Sequence, residues 1–272
     1  MPQSFSILDT LIRHGPTSFA FDFGRYLIAS CGMAAIVWGL RRTAFASRKI
    51  QKRKASAADI RREFFSSLQT CVVYISVTIF VIWGINVGIF QAVEGSFGLG
   101  FDLVVLAGII IGHDAYFYWV HRAMHHPRLF RLFHRHHHLS ITPTPFAAYS
   151  FAVPEALMMA LFMPLWQLFV ATPGWVVFVF LAFQIIRNVM GHAGMEVHPR
   201  WWLSNPLTRW NNTTTHHDLH HSGTFKYNYG LYFTYWDRLM GTEHPHYAET
   251  FHKVTAAVGP ISSPEPNPFP VL

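Results

Sequence analysis

The sequence predicts an all-α, multi-span helical membrane protein with a histidine-rich two-metal site on its cytoplasmic side. Three observations lead there. Of 272 residues, 51% are apolar and only 13% charged, against roughly 25% charged in a soluble domain. Two long stretches, 64–90 and 156–186, carry no formal charge. Histidine, amphipathic and rarely buried without a partner, is concentrated: eight of the eighteen fall within 113–138, HDAYFYWVHRAMHHPRLFRLFHRHHH.

The first apolar run, 26–40, reaches the roughly 20 residues of a span when extended back to Phe19, with Asp22 and Arg25 near one interface. The opening residues lack the basic start and small-residue cleavage site of a signal peptide. Residues 41–63 hold nine Lys/Arg against Asp59 and Glu63, a net +7 that equals the charge of the whole chain. The basicity therefore marks one short loop and argues for no nucleic-acid partner. Such a loop belongs on the cytoplasmic side, against anionic headgroups. An N-terminal unit of span and loop, 1–63, and a membrane-embedded remainder, 64–272, are expected.

Residues 64–90 form the second span, QAVEGSFGLG a glycine turn, and 101–119 the third. The third turns polar at His113, Asp114, Tyr116, Tyr118 and Trp119, and ionisable groups at that depth usually face a bundle interior or a site. Two crossings return the chain at His121 to the side of the basic loop. Residues 147–190, divided by Pro164 and Thr172-Pro173-Gly174, are expected to form a two-helix hairpin, giving five membrane segments. The alternative is a shallow re-entrant pair, giving three spans plus the hairpin. Either returns His192 to the first cluster. The polar, aromatic remainder from about Met195 is expected to cap the site. Cys31 and Cys71 sit in apolar runs and read as packing residues.

His121 and His125 are four apart, His134, His137 and His138 form H-x-x-H-H, and His217, His220 and His221 repeat that unit. Positions three and four apart share a helix face. Any one group alone is as well explained by packing. Four groups, His192 included, on one side of the topology point to metal ligation. His14, His244, His246 and His252 have no such geometry and read as solvated. His126, His136 and His216 adjoin better placed residues and read as neighbours of the ligands; His198, before Pro199, is a weaker candidate. Nine imidazoles exceed the four ligands of zinc or the six of one octahedral ion and suit two ions with open positions. Imidazole suits iron, zinc, copper and nickel alike. The membrane setting favours iron, because functionalising an alkyl carbon of a lipid needs an oxidising metal. With only Glu155 and Glu196 between the first box and the last, the glutamate-rich di-iron type of soluble bundles does not fit.

HDAYFYWVHRAMHH, LFHRHHHLS, GHAG and NTTTHHDLHHSGTFKYNYGLYFTYWDRLMGT together resemble the fatty acid hydroxylase and sterol desaturase superfamily of integral-membrane, non-haem di-iron enzymes. The resemblance implies two iron ions cycling between Fe2+ and Fe3+, O2 as co-substrate, and an external electron donor, cytochrome b5-like or a ferredoxin with its reductase. Matched by motif, the ligands fall on His121, His125, His134, His137, His138, His192, His217, His220 and His221. Asn228-Tyr229-Gly230 and Trp236-Asp237-Arg238 match family elements expected to fix the end of the domain. The expected activity is hydroxylation of an alkyl C–H bond in a membrane lipid or sterol-like substrate, with desaturation as the alternative. A non-redox metal-binding membrane protein is the reading from another class, but a transporter would place ligands at the span centres, which are bare. Asp114 and Asp218 are expected to accept the far N–H of ligand imidazoles, with His113, His126 and His216 nearby. Tyr116, Trp119, Phe146 and Phe183 are expected to line the substrate pocket.

Overall fold

A computed structural model describes residues 6–256. Four of its helices are long and apolar enough to cross a membrane: α1 (Ile7–Leu40), α2 (Ala57–Asn86), α3 (Leu99–Met124) and α7 (Gly174–Gly191). At 1.5 Å per residue the shortest, 18 residues, is about 27 Å long, near the 30 Å of a hydrocarbon core. Their outer faces are apolar. Ile28 and Trp38 on α1, Val104 and Ile111 on α3 and Phe178 on α7 are each more than half exposed, which suits lipid and not water.

Sequence sets the helix ends. Ser6 caps α1 by accepting from the Asp9 N–H. Ser56 and Asp59 form a reciprocal capping box on α2, satisfying two of the donors that a helix start leaves open. That start means α2 runs unbroken through the boundary expected at 63/64. At its other end Gly84 is required by close approach: a Cβ there would lie 2.3 Å from the Phe90 ring.

Short helices follow α3: α4 (Pro127–Phe133), α5 (Val153–Ala160) and α6 (Phe162–Gln167). The expected hairpin is therefore asymmetric. Its outgoing arm is the broken pair α5–α6 and its return is the single helix α7. The arm is nevertheless deep, because the two-residue strand β2 (Thr172–Pro173) pairs in parallel with β1 (Ala92–Val93) in the turn between α2 and α3. The hairpin tip thus reaches the level of the α2–α3 turn, with Gln91 N donating to the Gln167 carbonyl at 2.7 Å.

One core cluster joins Tyr26 of α1, Cys71 of α2, Tyr149 of the turn at 145–149 and Ile185 of α7. Tyr26 Oη and Ser67 Oγ both donate to the Phe146 carbonyl, at 3.0 and 2.9 Å, bolting the turn at 145–149 to the first two spans. A second cluster, Val105, Ile109, Phe162, Val176 and Phe180, joins α3, α6 and α7. Over the end of the bundle opposite the β1–β2 pair lie α8 (Thr214–Ser222), α9 (Tyr235–Leu239) and α10 (Tyr247–Ala256), the expected cap. The rest of that cap, 257–272, lies outside the described residues.

Candidate metal centre

Helix ends deliver the histidines. His121 sits in the last turn of α3 and His125 is its C-cap. His134 is the C-cap of α4, His192 that of α7, and α8 carries His217, His220 and His221. Three helix C-termini therefore meet at the cluster, and their partial negative charge favours a cation there.

The nine histidines form two groups: His121, His125, His134, His138 and His220 in one, His137, His192, His217 and His221 in the other. Within each group the ligand nitrogens all lie within 4.8 Å of one another. Each H-x-x-H-H box is divided between the groups. His134 and His138 go one way and His137 the other; His217 and His221 join His137, while His220 crosses to the first group. The groups adjoin, with the His138 and His221 rings 4.8 Å apart.

Nitrogen orientation tests whether ions fit. In the first group His125 Nε2 lies 3.2 Å from Nε2 of each of His121, His138 and His220, and His121 Nε2 is 2.9 Å from that of His134. In the second, His217 Nε2 lies 3.0 Å from His192 and 3.2 Å from His221, and His192 is 3.3 Å from His137. Two nitrogens at right angles around an ion, each about 2.0–2.1 Å from it, stand about 3 Å apart.

Meanwhile the Nδ1–H groups point away, to acceptors. His121 Nδ1 donates to the Tyr229 carbonyl (2.8 Å), His220 to Tyr227 (2.7 Å), His192 to Asn188 (2.8 Å), His137 to Ser150 (3.3 Å) and His134 to Glu155 Oε1 (2.6 Å). Those partners fix the tautomer, leaving Nε2 lone pairs aimed at one another. Such a convergence is repulsive by itself and is satisfied by a cation. Burial, reinforced by neighbouring imidazoles, holds His134, His137, His138, His217, His220 and His221 well below the ordinary histidine range. They are therefore neutral, the form that binds metal. The residues fit two ions.

Several expected neighbours stand elsewhere. Asp114 accepts from the backbone N–H of Tyr232 and Phe233, not from an imidazole. Asp218 accepts from Gln51 Nε2 at 3.0 Å, and burial pushes its carboxyl up to about 7; α8 turns it away from its histidine neighbours. His113 lies among Phe162, Phe180 and Tyr232, two helical turns from His121. His126 is exposed and caps α4. His216 packs on Tyr247 on the opposite face of α8, 3.5 Å from Asp237 Oδ2. His198 pairs with Glu196, which also takes the Thr215 N–H and hydroxyl.

The carboxylate that does take a ligand N–H is Glu155, whose signal was legible as a lone acid at the head of a charge-free run. Asp237 acts one step further out. Its oxygens accept from the N–H of Tyr229 (2.9 Å) and Gly230 (2.8 Å), pinning the loop whose carbonyls orient His121 and His220. Gly230 has no room for a side chain, since a Cβ would lie 2.5 Å from the Phe233 carbonyl.

A void of about 10 Å³ touches both groups, through His121 and His134 on one side and His137, His192 and His217 on the other. It has room for about one water molecule. Below it lies a cavity of about 360 Å³ bounded by α1, α2, α3, α5, α6 and α7. Phe117, Phe151, Met159 and Asn188 line both spaces and form a collar between them. The cavity runs along α7 from Asn188 to Gly174, about 21 Å at helical rise. Tyr116, Trp119, Phe146 and Phe183 do not line it. Tyr116 donates to the Met158 carbonyl, Trp119 meets Trp236 edge to face, Phe146 packs in the first core cluster and Phe183 meets Tyr232 edge to face. Each sits one or a few positions from a wall residue, Phe117, Tyr149 or Gln184, on a different face of its element.

A helical membrane protein that ends its spans in two adjoining nests of bare imidazole nitrogens belongs to the class of membrane-embedded histidine-box metalloproteins. Residues 106–242 match the family model described as fatty acid hydroxylase, and the chain belongs to that family. It is 31% identical over 158 residues to human lathosterol oxidase, covering 55% of this chain and 48% of that protein. It is 30% identical over 154 residues to Delta(7)-sterol 5(6)-desaturase of Leptosphaeria maculans, covering 57% of this chain and 41% of that one. Mouse lathosterol oxidase is 32% identical over 145 residues, 53% of this chain and 46% of the relative. The chain thus matches less than half the length of these relatives. No solved structure matches it significantly.

Proposed function

We propose that the chain is an O2-dependent di-iron oxidase of an alkyl carbon in a sterol-like or other membrane lipid. The observation that carries this is the joining of the two imidazole nests, through one small void and a collar, to an elongated apolar cavity at membrane depth. Iron bound in the nests, with O2 and two electrons, would supply the power to remove hydrogen from an unactivated C–H bond. The first group would hold its ion with His121, His125, His134, His138 and His220, the second with His137, His192, His217 and His221. The protein's own work is positional. Tyr229, Tyr227, Ser150, Asn188 and Glu155 hold imidazoles in one tautomer. Phe117, Phe151 and Met159 keep bulk water from the void while leaving a passage for a substrate carbon.

Hydroxylation and desaturation start from the same hydrogen abstraction. The names of the relatives favour desaturation, and the family description keeps hydroxylation as the second reading. The basic loop supports an acidic electron-donor protein as partner, because it lies beside the second group. Ile50 N donates to the Gly194 carbonyl, Glu196 N to that of Arg48, and Arg48 Nη1 to that of His198. Its charge also supports a cytoplasmic placement of the whole site.

Lipid mass spectrometry of a deletion strain against an overproducer tests the reading. A species that gains one oxygen in the overproducer supports hydroxylation, and one that loses two hydrogens supports desaturation. No lipid change with donor and oxygen present counts against both.

A further inference from the structure

Resting on the reading of the centre as an alkyl oxidase, we propose that Asp22, Arg25 and Gln184 form a polar subsite for the hydroxyl of a neutral amphiphile, a sterol-like alcohol. That contact sets which carbon reaches the metal centre. The cavity wall is otherwise apolar for most of its length, through Val81, Ile82, Ile85, Met163 and Val177. Against it stands an ion pair, Arg25 Nη2 to Asp22 Oδ1 at 2.7 Å, whose side chains are 9% and 7% exposed. Ionisable groups at membrane depth are expensive and mark function by default.

Arg25 spends both terminal nitrogens, Nη2 on Asp22 and Nη1 on the Leu181 carbonyl at 3.0 Å; its Nε–H is enclosed by protein and makes no hydrogen bond among the described residues. Asp22 uses Oδ1 for that pair, and its Oδ2 makes no hydrogen bond among the described residues. Across the wall Gln184 spends its Oε1 on the Tyr149 hydroxyl at 3.1 Å, and its amide N–H groups meet no acceptor among the described residues. One free acceptor and one free donor therefore line the same stretch of cavity. A hydroxyl, which both donates and accepts, satisfies the pair. A carboxylate would bring like charge to Asp22 and offer it no proton. A hydrocarbon end would leave both groups unpaired.

Position follows from α7. Gln184 is one helical turn, about 6 Å, from Asn188 in the collar, so the hydroxyl is held a short way from the reacting carbon. The remaining ten residues to Gly174, about 15 Å of apolar wall, take the rest of the molecule. Gln167 lines the far end, buried, with no side-chain hydrogen bond among the described residues. It would anchor a hydroxyl in the reverse orientation, but it stands without a complementary acceptor such as Asp22.

The test uses the full-length, iron-loaded protein in nanodiscs and displacement of fluorescent dehydroergosterol by cholestanol, by cholestane lacking the hydroxyl, and by stearic acid. Wild type is expected to prefer cholestanol to cholestane by roughly tenfold, the worth of one charge-assisted hydrogen bond, and to bind stearic acid more weakly. Gln184→Leu and Asp22→Asn should bring the ratio to about one, and Gln167→Leu should leave it unchanged. Equal binding of cholestanol and cholestane by wild type, or of stearic acid and cholestanol, overturns the subsite without relying on any variant's folding. Loss of preference in Gln167→Leu alone overturns it too. Iron per chain separates the claims. Two irons without a hydroxyl preference remove the subsite and leave the oxidase reading standing, whereas a hydroxyl preference in a protein that binds no iron removes the oxidase reading instead.

Discussion

Glu155 offers the sharpest single perturbation of the metal centre. Its Oε1 accepts from His134 Nδ1 at 2.6 Å, with the two side chains 1% and 3% exposed. Burial alone pushes the Glu155 carboxyl up, while a cation on the far nitrogen of His134 would favour its charged form; the charge-assisted hydrogen bond is then worth about 1.5–3 kcal/mol, and a neutral one about half as much. Glu155→Gln keeps size and an acceptor but removes the charge, so it should lose about 1–1.5 kcal/mol, or about five- to tenfold in affinity for the first ion. Glu155→Ala strands a buried N–H and frees the ring, and should cost about a hundredfold, the upper range for such supporting groups. The second group shares no histidine with Glu155, so the loss should be selective. Titrating purified protein with an iron chelator and counting iron per chain should show one iron leaving early and the other at the wild-type concentration. Glu155→Ala that keeps both irons to the wild-type midpoint, with unchanged thermal unfolding, would refute the assignment of Glu155 as a support of His134.

Three further outcomes are expected. His121→Ala and His217→Ala should each empty their own group and abolish turnover while the chain stays in the membrane, whereas the exposed His252→Ala should change activity by less than about twofold; metal analysis of membrane fractions decides. Asp237→Ala strands the N–H of Tyr229 and Gly230 at about 1–3 kcal/mol each, so it should lower the unfolding temperature and release the first iron, with Asp237→Asn in between. A chain with Cys31 and Cys71 replaced by alanine should be labelled from outside sealed cells by an impermeant thiol reagent at Glu94→Cys and not at Arg53→Cys or Lys226→Cys; external labelling at Lys226→Cys breaks the topology.

Legibility in the sequence tracked the range of each interaction. The spans are readable because lipid selects on composition: α2 covers most of the charge-free run 64–90, and α3 contains the apolar run 101–119. α1 begins at Ile7, well before the apolar run, and passes through Gly15 and Pro16, residues that ordinarily argue for a break in a helix, so the sequence pattern places its start too late. The arm α5–α6 was unreadable as a broken pair because hydropathy does not register where backbone bonds are interrupted. For the histidines, i,i+4 spacing predicted which residues share a face. It could not say that His137 and His220 cross between groups, because that depends on how α8 packs against the turn after α4. The supports of the ligands are mostly backbone carbonyls, which carry no residue signature. The pocket wall failed for a similar reason. One residue along a helix turns a side chain about 100°, so choosing Tyr116 over Phe117 missed the cavity although the segment was right.

Metal analysis with Mössbauer spectroscopy of the purified wild type tests the central claim most directly, that the nine histidines form two adjoining ion sites for oxidative chemistry. Two irons per chain in nitrogen-rich surroundings, with oxygen consumption when a reductase and electron donor are supplied, is the predicted result. One zinc per chain, with no oxygen consumed under the same conditions, would contradict it.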